Sequence, residues 1–162
     1  MKKLNKKRRI ESRTNYAKRL KLLKSNSPRL VVRKTNKYII LQIVESENAQ
    51  DKIVSSVNTK ELLNHGWPAD KSGSLKNLSA GYLGGFLIAK KTKEKFDRII
   101  LDSGLIPNTK GSRIYAVVKG AVDGGLNIPY DNKIIPDEKM INKYDFLDKI
   151  KKNIKWKNIK KI

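Results

Sequence analysis

The chain has 162 residues, about one domain with appendages, and is long enough to bury a core without covalent staples. It has no cysteine, which excludes disulfide frameworks, thiolate zinc sites and cysteine nucleophiles, and gives a weak pointer to a reducing cytoplasm. Its formal charge of +22 is segregated: residues 1–24 hold 11 bases against Glu11 and residues 149–162 hold seven lysines and no acid, so the long middle carries only +5.

A near-neutral body with two cationic ends suits a polyanionic partner, whereas a solubilising role needs only one tail. Of the 37 bases, 29 are Lys and eight are Arg. That bias favours phosphate neutralisation over bidentate base reading and makes the few arginines the residues to follow. The basic opening is not followed by an apolar run and does not read as a secretory signal. The longest apolar stretch, residues 38–44, falls far short of the roughly 20 residues a spanning helix needs, so no membrane partner is expected.

Thr14 is placed to cap a helix in which Tyr16, Leu20 and Leu23 form a docking stripe, with Lys18, Arg19, Lys21 and Lys24 on the other faces. Ser27 and Pro28 end it, and residues 29–34 read as a strand. A turn at 35–37 leads into a second strand over 38–45. There Ile39, Leu41 and Ile43 share one face, and Tyr38, Ile40, Gln42 and Val44 share the other. A third strand at about 52–57 completes an expected antiparallel meander.

Residues 64–77 read as a loop. Ser79 is expected to cap a helix to about residue 92, in which Gly81, Gly84 and Gly85 suggest close packing on another backbone. A fourth strand at 98–102 and a loop at 103–111 precede a helix capped by Ser112, with Ile114, Val117, Val118, Ala121 and Val122 on its apolar face and its end at Gly124 or Gly125. One more helix is expected over 138–152, with a tail behind it. The organisation expected is a basic arm and helix over 1–24, a globular domain over 25–130, and a C-terminal helix with a lysine-rich tail over 131–162. The order of elements predicts an α/β layered domain with a mixed sheet, because the fourth strand must return by a crossover.

Most catalytic chemistry lacks its residues. His65 is the only histidine, so a metal site or a histidine-dependent triad is not expected. The loop at 104–112 does not fit a phosphate-loop motif, since Thr109 stands where the second glycine belongs and Gly111 follows Lys110. Lys110, Ser112 and Arg113 nevertheless sit at a predicted helix N-terminus, where free amides and the helix dipole favour a phosphate. No cofactor and no small-molecule substrate is implied.

A meander followed by alternating helix and strand is also the order of ribonuclease H-like nucleases, which hold two metal ions on carboxylates. Here Arg33 and Lys34 stand on the first strand where such enzymes carry an aspartate, and Asp102 and Asp123 are scattered. What remains is a binding surface. Arg29, Arg33, Lys37, Tyr38 and Gln42 mix cations, an aromatic ring and an amide on adjoining strands, and Arg8, Arg9, Arg13 and Arg19 concentrate in the arm. RNA is favoured over DNA because no helix-turn-helix, finger or zipper is visible.

The runs Arg13-Thr14-Asn15-Tyr16, Pro28-Arg29-Leu30-Val31-Val32-Arg33-Lys34, Thr35-Asn36-Lys37, Gly66-Trp67, Thr109-Lys110-Gly111-Ser112-Arg113, Lys119-Gly120-Ala121 and Ile128-Pro129 resemble, in order, large-subunit ribosomal protein eighteen in its archaeal form. The eukaryotic relative of that family is large-subunit ribosomal protein five. The resemblance runs from about residue 8 to 141. It implies a three-layer α/β/α fold with a mixed sheet of the ribonuclease H-like kind, and no enzymatic activity. It implies binding to 5S rRNA in the central protuberance of the large ribosomal subunit, in the cytoplasm, beside 23S rRNA and neighbouring proteins including the other 5S-binding protein.

Carried onto this chain, the RNA-contacting segments are the arm with Arg8, Arg9, Arg13, Tyr16 and Arg19, the hairpin with Arg29, Arg33, Asn36, Lys37 and Gln42, and the loop with Lys110, Ser112 and Arg113. Asn15 stands where an acid is usual, Tyr38 and Tyr130 stand where histidine is frequent, and the segment after Ile141 is shorter than in the archaeal pattern. A metal-dependent nuclease and a general nucleic-acid-coating protein are the alternatives. Magnesium-dependent cleavage would mark the first, and equal binding to duplex DNA and unrelated RNA the second.

Overall fold

Alternation along the first two strands decides which side of the sheet is inside. Leu30 and Val32 from one strand, and Ile39, Leu41 and Ile43 from the next, are fully buried in one cluster with Leu83, Leu87 and Val117 of two helices. The computed structural model describes residues 6–48, 50–92 and 96–159. Its strands are β1 (Arg29–Lys34), β2 (Ile39–Glu47), β3 (Gln50–Asn58) and β4 (Ile100–Asp102). The helices are α1 (Lys7–Ile10), α2 (Tyr16–Lys24), α3 (Leu78–Lys91), α4 (Arg113–Asp123), α5 (Glu138–Ile141) and α6 (Leu147–Ile159).

The sheet order is β3-β2-β1-β4. β1, β2 and β3 form the expected antiparallel meander, and β4 returns parallel to β1, with Val31 opposite Asp102. The chain is therefore of the α/β class with a mixed four-stranded sheet. A register shift between Ile43 and Val44 sets Val44 opposite Ile53, which bends and twists the outer end of β2 and β3.

Several expectations give way to longer-range bonding. The cap of α2 is Asn15, whose Oδ1 accepts from the Lys18 N–H at 3.0 Å, while the Thr14 hydroxyl accepts from Arg8 Nε. Leu20, expected on the docking stripe, is 55% exposed, and α2 buries no residue completely. The cap of α3 is Asn77, two residues before Ser79, whose buried hydroxyl donates to the Ile141 carbonyl and fixes α5. Asn caps at least as well as Ser, and tertiary bonding claims the serine.

The expected loop at 64–77 is largely two 3-10 helices, Thr59–His65 and Ala69–Ser74, the first closed by a capping box between Asn58 and Glu61. β4 keeps only three of its five expected residues. The single helix expected over 138–152 is two, because the segment between α5 and α6 turns inward to stack Tyr144 on Phe146, both packing edge-on against Trp67. Ile141, Leu147, Ile150 and Ile154 then join the core, so the C-terminal segment is part of the same body. Lys2 and Lys3 of the arm and Lys160 and Lys161 of the tail lie outside the described residues.

The close helix packing expected from glycine is present between α3 and α4. A Cβ on Gly85 would fall on the Val117 carbonyl oxygen, and one on Gly81 would press the Arg113 carbonyl. The partner helix answers with Gly120, where a Cβ would collide with the Tyr82 carbonyl, and Gly124, where it would meet the Ala89 methyl group. Gly84 instead faces Thr59 and Leu41 side chains. Because backbone cannot yield as a side chain can, Gly120→Ala is expected to destabilise the protein by about 3 kcal/mol or more. Gly111→Ala, with open space around it, should cost only the strain of its positive φ. Urea denaturation of the two variants checks the contrast.

Candidate nucleic-acid interface

Arg29, Val31 and Arg33 alternate onto the same face of β1, and the parallel partner of Val31 is Asp102 at the end of β4. Both guanidiniums therefore converge on one carboxylate. Arg33 Nη2 lies 3.2 Å and Arg29 Nη1 3.5 Å from Asp102 Oδ2, and the Gly104 N–H donates to Oδ1 at 2.8 Å. Arg33 Nη1 also donates to the carbonyls of Asp102 and Val32, so the guanidinium is fixed although the side chain is 44% exposed. Burial by itself raises the Asp102 carboxyl. The hydrogen bonds from Arg33 and Gly104, with the charges of Arg33 and Arg29, outweigh that and hold it below the ordinary carboxylate range.

Arg29 is the arginine that least resembles a free RNA contact. It is 4% exposed, and its Nη2 donates to Ser46 Oγ and to Asp51 Oδ1, the latter at 2.8 Å. Asp51 also faces Arg19 of α2 at 3.6 Å. The Lys18 ammonium donates to Ser103 Oγ and the Gly104 carbonyl, both at 3.0 Å. α2 is thus clipped across the outer face of the sheet by polar bonds, with a cleft of about 490 Å³ between them.

That cleft gathers Arg8, Arg13 and Arg19 from the arm with Arg29, Arg33 and Gln42 from the strands, and adds Lys18 and Lys34, against only Asp51 and Asp102. Its apolar surfaces come from Leu22, Val31, Val44, Ile53 and Leu105. A second hollow of about 400 Å³ shares Lys34 and Ile106 with the first and is bounded by Thr109, Gly111, Ser112 and Arg113. The arm, the strand pair and the 109–113 loop therefore adjoin on one cationic surface. Lys110 and Arg113 are exposed beside it, and Ser112 stands at the cap position of α4 without a cap bond from its hydroxyl.

The other residues singled out from sequence lie apart. Asn36, Lys37 and Tyr38 are at the β1–β2 turn and line neither hollow. The Asn36 carbonyl accepts from Lys76, the Thr35 hydroxyl bonds both the N–H and the carbonyl of Tyr38, and the Tyr38 ring packs on the core. Tyr16 carries the Lys6 ammonium 4.6 Å from its ring centre, and Arg9 is exposed on α1. Sequence reasoning named Lys18, Lys34 and Asp102 without assigning them to the site. Lys34 was detectable as the neighbour of Arg33, whereas the partners of Lys18 are 85 and 86 residues away.

Among the described residues, no group of three or more His, Asp or Glu side chains is placed to hold a metal ion, and no helix is long and apolar enough to cross a membrane. The sequence matches the family described as ribosomal large subunit proteins 60S L5 and 50S L18 over residues 2–99 and 92–131. The chain belongs to this family. It is 46% identical over 135 residues to a protein of Korarchaeum cryptofilum named large ribosomal subunit protein uL18, an alignment covering 83% of this chain and 67% of that protein. Proteins of the same name from Methanoregula boonei and Methanosphaera stadtmanae are 47% and 42% identical, over 81% and 94% of this chain and 74% and 80% of their own lengths. As a member of a family of ribosomal structural proteins, the chain is not an enzyme, and the nuclease alternative falls.

Asp102→Ala is expected to destabilise the fold by about 3 kcal/mol, because it takes one of two carboxylates from the buried Arg29 guanidinium and, among the described residues, the only one from Arg33. The depressed carboxyl contributes stability that is present above the unfolded value of about 4 and is lost as pH falls through the folded value. The stability gap between wild type and Asp102→Asn should therefore narrow below about pH 4, as read from urea denaturation across pH.

Proposed function

We propose that the protein binds 5S rRNA and anchors it in the central protuberance of the large ribosomal subunit, with further contacts to 23S rRNA and to neighbouring proteins, including the other 5S-binding protein, in the cytoplasm. The observation that carries this reading is the cationic cleft between arm and sheet, on a chain whose relatives are named large ribosomal subunit protein uL18. Lysines and arginines along the arm neutralise phosphates and release counterions. Arg8, Arg13, Arg19, Arg33 and Gln42 form the centre of the contact, Lys110, Ser112 and Arg113 extend it, and Arg9, Tyr16, Asn36, Lys37 and Tyr38 meet RNA at its margins. Arg29 acts by holding Asp51 and Asp102 in place. We also assign the sheet to the ribonuclease H-like kind, a reading supported by an antiparallel meander joined to a parallel strand after a crossover.

The direct test is to isolate the protein from its cells at low salt and identify the RNA that accompanies it. With purified 5S rRNA, log K should fall against log salt by at least roughly 0.7 to 0.9 per phosphate contact. Equal affinity for tRNA or duplex DNA would point to a coating protein instead. Deleting residues 1–13, which removes Arg8 and Arg13 from the cleft, should weaken binding while leaving the melting temperature nearly unchanged. Arg33→Ala should lose roughly tenfold or more in affinity, the scale of one charged hydrogen bond, and more than Lys160→Ala.

A further inference from the structure

The cleft under α2 is more than a charged surface. Its walls include Val31, Val44 and Ile53, and Ile53 is 55% exposed there although apolar. Between them lies Gln42, partly buried on the middle strand β2, whose side-chain amide makes no hydrogen bond among the described residues. An amide presents a donor and an acceptor side by side, which matches the paired donor and acceptor of a base edge. The fixed yet exposed Arg33 guanidinium adds a planar cation, and Arg8, Arg13 and Arg19 ring the opening.

We infer that this cleft takes one unpaired nucleotide of the bound RNA, its base against Val31, Val44 and Ile53, its edge read by the Gln42 amide, and its phosphate held by the surrounding arginines. The inference rests on the RNA-binding reading above and deepens it. The cleft volume of about 490 Å³ is that of a pocket for a small molecule, far too small for a stacked duplex. Bases in a duplex also turn their pairing edges to each other, so only an unpaired one offers that edge to the protein. The excess of cationic side chains attracts any anion, and the apolar walls then distinguish a nucleotide from a bare anion.

The test is chemical probing of base-pairing edges in 5S rRNA, free and bound to the full-length protein, with dimethyl sulfate and a carbodiimide. The wild type is expected to protect the edge of one unpaired base. Gln42→Leu, which suits a strand and leaves every charge in place, should restore reactivity at that base and weaken binding about tenfold, with the rest of the footprint and the salt slope unchanged. Gln42→Ala should do the same, and melting temperatures check that both variants fold. A footprint with no protected unpaired base, or protection that survives both substitutions, overturns the inference while leaving 5S binding intact. No binding of wild type to 5S rRNA overturns the proposed function and the inference with it.

Discussion

Asp102 stands where a strand of only three residues ends, and its carboxylate is bonded by both the neighbouring strand and the loop that follows it. Arg29 and Arg33 bring the central strand, and the Gly104 amide brings the loop that leads to α4. The neighbouring Ser103 and Gly104 in turn receive Lys18 from the arm. In a face this rich in cations, mutual repulsion would splay the arginines apart. One buried carboxylate offsets that repulsion locally, so that two of them can sit four positions apart on one strand with defined geometry. Asp51 does the same one layer out, between Arg29 and Arg19. The two acids do not dilute the basic surface so much as give it a shape.

Behind that face, the helical layer is built on a different rule. Glycines on α3 and α4 remove side chains from the seam, so the two backbones meet directly. Such packing leaves little room for one helix to slide on the other, because any shift drives carbonyls into the space a Cβ is denied. The sheet rests on this pair through Ile39 and Leu41, the inward residues of the same strand that carries Gln42 outward. A rigid back and an ordered front are thus two faces of one strand, set by its two-residue period.

Much of this was legible in the sequence where the cause is local. The alternation of residues 38–44, the arginine-flanked strand and the glycines at 81 and 85 each state their structure within a few positions. The outer halves of the same features were not. Gly120 and Gly124 carry no sign that they meet α3, and Ser79 reads as a cap until the Ile141 carbonyl takes its hydroxyl. For the site, sequence identifies the cationic segments and the family, but not which cations are already engaged. Arg29 and Arg33 look equivalent as letters. Asp51 and Asp102, distant in sequence, make one a buried strut and leave the other partly open.

The arm is held to the body by ammonium and guanidinium groups, with no residue of α2 fully buried. Screening by added salt weakens the Arg19–Asp51 pair in this clasp by the same physics that weakens attraction to phosphate. Raising the ionic strength therefore loosens the cleft wall as well as weakening the RNA contact proposed for it. A salt slope measured on the whole protein then reports two processes at once, closure of the arm and release of counterions from RNA. Read as a simple count of phosphates, it would return a number larger than the interface contains.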